Sequence, residues 1–132
     1  MNGSYFLYAE DDTDDTEIMK EAVLAQKKAY ELVCVTDGFS LLQHLQQVGN
    51  GESYPCLIIM DLHLPKLSGI ETLQLLRTDD IYRLIPVVVF SSKLSAKEKK
   101  VCEKLGAEVI RKPDTYTQWQ DILLHLFSYA DE

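Results

Sequence analysis

Short apolar runs that stop on a polar residue, each followed by a stretch with helical spacing, recur along this chain of 132 residues. Tyr5 to Ala9 runs into Glu10-Asp11-Asp12, Leu32 to Val35 into Asp37-Gly38, and Cys56 to Met60 into Asp61. Val87 to Phe90 likewise runs into Ser91-Ser92, and Glu108 to Arg111 makes a fifth short strand before Lys112-Pro113. A continuous rather than alternating apolar run is what a strand covered on both faces requires.

The segments between these runs have the period of helices. Asp14 with Glu17 reads as the capping pair of a first helix over about Asp15 to Lys28, with Ile18, Met19, Ala22, Val23 and Ala25 on its apolar face. Leu41, Leu42 and Leu45 mark a second helix, and Gly49 to Pro55 reads as a surface loop. Ser68 with Glu71 opens a third helix carrying Ile70, Leu73 and Leu76. Ser95 with Glu98 opens a fourth, ending near Leu105 with Gly106 as its stop. Trp119, Ile122, Leu123, Leu126 and Ala130 trace the last apolar face. Five strands alternating with five helices imply right-handed crossovers, hence an α/β, doubly wound, five-stranded parallel sheet with helices on both faces.

Bulk properties narrow the function. The length fits one domain over residues 1–132, and no output domain is expected. A net charge of −8 argues against direct nucleic acid contact and against anionic lipid surfaces. The longest apolar run, Ile85 to Phe90, is far short of a membrane span, so a cytoplasmic location is expected. Cys34, Cys56 and Cys102 are too scattered for a zinc site or a disulfide framework.

In a doubly wound sheet, ligands bind beyond the carboxyl ends of the strands. The residues at those ends are Glu10, Asp11, Asp61, Ser91 and Lys112. Carboxylates gathered there would repel one another unless a cation joins them, and an all-oxygen set suits Mg²⁺. A lysine and a hydroxyl beside them make a site of phosphate size. His44 and His125 lie within helical patterns with no partner nearby in sequence.

Over about Tyr5 to Phe127 the sequence resembles the receiver domains of two-component response regulators. Glu10-Asp11 matches the acidic metal-binding pair, and the segment from Leu57 to Pro65 with Gly69 matches the phosphoacceptor region. Ser91, followed by Ser92, matches the switch hydroxyl, and Lys112-Pro113 the functional lysine and its proline. The resemblance implies a flavodoxin-like strand order 2-1-3-4-5. It also implies that Asp61 takes a phosphoryl group from a histidine kinase or a histidine phosphotransfer protein. Mg²⁺ or Mn²⁺ would be held by Glu10, Asp11, Asp61 and the backbone carbonyl of His63, and Ser91, Ser92 and Lys112 would bind the phosphoryl group. Pro113 becomes a cis-peptide candidate, and His63 and Lys93 become candidates for tuning the phosphoryl lifetime. Output would pass to a protein partner, with a homodimer among the possibilities.

One departure stands out: Val109 occupies the place where the family carries an aromatic switch. Two other functions compete. A pseudo-receiver that only binds would lack one of the acidic pair, the acceptor or the lysine, and all are present. An aspartyl phosphatase would need a second aspartate where His63 stands.

Overall fold

The computed structural model describes residues 5–26, 30–49 and 54–130. Its elements run β1 (Tyr5–Ala9), α1 (Thr13–Ala25), β2 (Glu31–Val35), α2 (Gly38–Val48), β3 (Leu57–Met60) and α3 (Gly69–Thr78). A 3-10 turn at Tyr82–Leu84 leads into β4 (Val87–Ser91), α4 (Ala96–Lys104), β5 (Glu108–Arg111) and α5 (Tyr116–Phe127). All four strand pairings are parallel, in the order β2-β1-β3-β4-β5. The chain therefore reverses direction across the sheet between β1 and β3, the switch point at which such folds bind ligands.

The apolar runs are continuous because successive side chains serve different cores. Leu7, Ala9, Ile58, Met60, Val87 and Val89 pack on one face with Leu41, Leu45, Leu73, Leu76 and Cys102 from α2, α3 and α4. Phe6, Tyr8, Leu57, Ile59, Val88 and Phe90 face the other way, against Met19, Ala22 and Val23 of α1 and Trp119, Leu123, Leu126 and Phe127 of α5. Each central strand is thus buried along its whole length. No helix is long and apolar enough to cross a membrane among the described residues.

Two expected helix starts are found as capping boxes, one further box appears and one start shifts. Ser68 with Glu71 and Ser95 with Glu98 form reciprocal capping boxes, and Thr115 with Gln118 adds a third at α5. At α1 the cap is Asp12, not Asp14: Asp12 is the first residue to clear the acidic strand end in an extended conformation, and its carboxylate accepts the Asp15 N–H at 3.0 Å. The far end expected at Lys28 falls in residues 27–29, outside the described residues, as do 50–53 of the expected loop. Gly106, at φ +78°, stops α4 as its sequence position suggests. Ala130 packs on the core just beyond the end of α5 rather than within it.

Candidate functional site

The carboxyl ends of β1, β3, β4 and β5 deliver the site, and the sheet ladder sets where each residue starts. The N–H of Glu10 donates to the Val35 carbonyl at 3.0 Å, that of Asp61 to Ala9 at 3.2 Å, and that of Lys112 to Ser91 at 3.1 Å. These residues are the last to be anchored as strand and the first whose side chains leave the core. Gly69 is needed for the same placement. A Cβ there would lie 2.5 Å from the Asp61 carbonyl oxygen and 2.6 Å from the Leu62 Cα, so α3 can press against the acceptor segment only through a glycine.

Lys112 is the centre of the arrangement. Its Nζ donates to Glu10 Oε1 at 2.5 Å, to Asp15 Oδ2 at 2.8 Å and to Asp61 Oδ2 at 3.1 Å, with its side chain 6% exposed. The other Asp61 oxygen, Oδ1, accepts the Ser91 hydroxyl at 2.8 Å and the His63 backbone N–H at 3.2 Å. Glu10 also accepts the Asp12 N–H at 3.2 Å and the Tyr8 hydroxyl at 3.4 Å.

These contacts push the two buried carboxyls in opposite directions. At Asp61 burial acts to raise the pKa, but Lys112, the His63 N–H and the Ser91 hydroxyl outweigh it and hold the group below the ordinary carboxylate range. At Glu10 burial wins over the hydrogen bond and charge of Lys112, and the pKa is pushed up to about 7. Burial likewise opposes the charge on Lys112, but its bonds to Asp15 and Glu10 and the charges of Glu10 and Asp61 raise its pKa overall. One ammonium is thus shared among three carboxylates.

The same three carboxylates bear on how a metal fits. The donors are carboxylate oxygens, the right chemistry for a hard divalent cation. As the side chains stand, the site is centred on lysine: no group of three His, Cys, Asp or Glu residues is close enough to hold a metal ion among the described residues. Asp11 is exposed on the lip of a cleft of about 570 Å³ that Glu10, Asp12, Asp15 and Asp61 also line.

The remaining expected residues are placed differently from one another. Ser91 is buried against Asp61, whereas Ser92 is exposed at the cleft. Lys93 contributes its carbonyl rather than its ammonium: it accepts the His63 ring at 2.8 Å and shares, at 3.2 Å, the single Ser91 hydroxyl hydrogen that Asp61 accepts at 2.8 Å. Since a carbonyl only accepts, His63 carries its hydrogen on Nε2. The cis expectation at Pro113 is corrected, because no peptide bond is cis among the described residues. An X–Pro bond favours trans by about 0.5–1 kcal/mol, and from a trans bond Lys112 already reaches all three carboxylates, so nothing in the site demands the rarer isomer.

Asp15 escaped the sequence reading, which placed it in the first turn of a helix where acids are common. His44 and His125 find partners distant in sequence, the Tyr5 hydroxyl at 3.1 Å and Glu108 at 2.8 Å respectively. Val109 is half-buried against the α4 side of the core, so no ring lies there.

Comparison with known proteins bears on the family and the fold. The family model of the response regulator receiver domain matches residues 6–122. Response regulator Rcp1 of Synechocystis sp. is 34% identical over 88 residues, or 65% of this chain and 60% of Rcp1, so the match spans less than two thirds of that relative's length. The phosphorylated cyanobacterial phytochrome response regulator RcpA superposes with a TM-score of 0.86 at 27% identity, covering 96% of this chain and 93% of RcpA. The bacteriophytochrome response regulator RtBRR superposes with a TM-score of 0.75 at 33% identity, covering 89% of this chain and 74% of its own.

Proposed function

The chain belongs to the response regulator receiver domain family of two-component signalling, and from that premise we propose that Asp61 takes a phosphoryl group from the phosphohistidine of a histidine kinase or a histidine phosphotransfer protein. The observation that carries this reading is the split of roles between the Asp61 oxygens. Oδ1 is fixed by Ser91 and the His63 N–H, while Oδ2 meets only the Lys112 ammonium among the described hydrogen bonds, in a residue that lines the cleft.

Asp61 is kept ionised, as a nucleophile must be. As its oxygen bonds to phosphorus, the phosphorus–nitrogen bond of the donor breaks and the imidazole leaves with the electron pair. Lys112 then neutralises charge on the phosphoryl oxygens, and the Ser91 hydroxyl turns from Asp61 to donate to one of them. Glu10, Asp11, Asp61 and the His63 carbonyl would hold a Mg²⁺ or Mn²⁺, which when bound would reduce the repulsion between Asp61 and the incoming anionic group.

Ser91 and His63 both bond to the Lys93 carbonyl, so a turn of the Ser91 hydroxyl loosens the segment between β4 and α4. That segment, in place of an aromatic ring at Val109, carries the signal to a protein partner. The reading places this activity in one receiver unit over about residues 5–127, in the cytoplasm. RcpA and RtBRR are described as phytochrome and bacteriophytochrome response regulators, which makes a kinase of that class the first donor to try.

Incubation with acetyl phosphate and Mg²⁺ should add one phosphoryl group by mass, and both a chelator and Asp61→Asn should abolish it. No gain in mass, or a gain that survives Asp61→Asn, overturns the proposal.

A further inference from the structure

An ammonium has three hydrogens to donate, and Glu10, Asp15 and Asp61 take all three from Lys112. A phosphoryl oxygen can join only if one of these partners leaves. Glu10 is poorly suited to move: its side chain is 1% exposed and is also held by the Asp12 N–H and the Tyr8 hydroxyl. Asp61 carries the new group: its Oδ2 becomes the bridging oxygen and passes its charge outward, so Lys112 has to follow the phosphoryl oxygens and give up a second partner. Asp15 differs from both. Its carboxylate is 25% exposed, and Lys112 is its one side-chain partner among the described hydrogen bonds. Water can replace the lysine there, and the first turn of α1 favours a free carboxylate.

We propose that Asp15 is a positioning residue for this site. It holds the Lys112 ammonium over Asp61 in the resting protein, and it is the contact that Lys112 exchanges for a phosphoryl oxygen. This rests on the phosphoacceptor reading of Asp61. The adjacent Asp14 supplies the contrast: it carries the same charge on the same helical turn, is exposed, and makes no contact with Lys112 among the described ion pairs. An effect of charge alone would appear equally at both positions, whereas release of Lys112 belongs to Asp15.

The test compares the wild-type protein with Asp15→Asn, Asp15→Glu and Asp14→Asn. The first readout, without metal or phosphodonor, is the rate of reductive methylation of Lys112 by peptide mass spectrometry. It should rise severalfold in Asp15→Asn, return towards wild type in Asp15→Glu and stay level in Asp14→Asn. The second is the affinity for beryllofluoride, a phosphoryl mimic, in the presence of Mg²⁺. Asp15→Asn should bind about tenfold more tightly, the scale of one charged hydrogen bond no longer in competition, and Asp14→Asn should change by less than about twofold. If Asp15→Asn matches Asp14→Asn in beryllofluoride affinity, or binds more weakly than wild type, the exchange is refuted whatever the methylation rate. A wild-type protein that binds no beryllofluoride sinks the phosphoacceptor reading itself, and the inference with it.

Discussion

Two partly or wholly buried cations sit at opposite ends of the sheet, and their partners could hardly differ more. At the carboxyl end, Lys112 is surrounded by the carboxylates of Glu10, Asp15 and Asp61. At the amino end, Arg77 of α3 donates to backbone carbonyls: Nε to Leu105 at 2.6 Å, Nη1 to Ile85 at 3.1 Å and Arg83 at 3.2 Å, and Nη2 to Gly106 at 3.4 Å. These carbonyls carry no charge to titrate and cannot take a phosphoryl group. Arg77 is therefore a fixed clamp that ties α3 to the approaches of β4 and β5. Charged partners make the opposite kind of site, in which any arriving anion or cation redistributes the bonds. The same fold holds one end constant so that the other can change.

The contrast breaks most visibly if Lys112 is removed. Lys112→Met should slow phosphoryl uptake from acetyl phosphate by about 100-fold or more, as expected for loss of a preorganised charge at the reacting group. A rate near wild type would mean that the lysine is structural, like Arg77. The mirror experiment is Arg77→Met, which leaves several carbonyls without their donor and should cost about 2–4 kcal/mol in urea unfolding. Its phosphoryl uptake should stay within about twofold of wild type. Arg77→Lys should recover only part of the loss, since an ammonium lacks the planar fork that spans these acceptors.

A smaller effect sharpens the comparison through pH. Glu10 has a folded pKa raised from 4.5 to about 7, so its contribution favours the folded state fully below about 4.5 and is lost as pH rises through about 7. In chelator-treated protein, Glu10→Gln should therefore gain stability over wild type as pH rises across that window, and Arg77→Met should show no matching trend. Equal pH profiles for Glu10→Gln and wild type would contradict the strain placed on Glu10. Least of all should change with His63→Asn. Losing the bond to the Lys93 carbonyl should alter the rate of dephosphorylation by no more than about tenfold. An unchanged rate removes His63 from lifetime control.

What could be read in the sequence follows from how these ends are built. Glu10, Asp61 and Ser91 each terminate an apolar run and Lys112 follows the short strand Glu108–Arg111, so their places at strand ends mark them, and the sheet aligns them as that pattern implies. Asp15 has no such mark, because its role exists only once the crossover lays the first turn of α1 beside the end of β5, 97 residues away. Arg77 was equally hidden: an arginine late in an amphipathic helix looks like a solvated charge until the turns around Arg83 and Leu105 close over it. Helix starts were legible where a serine stood alone before the run, at Ser68 and Ser95, and shifted where several aspartates competed, at Asp12 and Asp14. The isomer of the Lys112–Pro113 bond depends on where the lysine must reach, which no local pattern encodes.

The central claim concerns a single atom pair, phosphorus and an Asp61 oxygen, and borohydride trapping tests it at that position. The protein is charged with a phosphodonor and Mg²⁺, reduced, digested and sequenced by mass spectrometry. An acyl phosphate at Asp61 is reduced to homoserine, so the account predicts homoserine at position 61, lost when a chelator is present from the start. Homoserine at another carboxylate, or an unmodified Asp61 in a protein that has taken up phosphate, would contradict it.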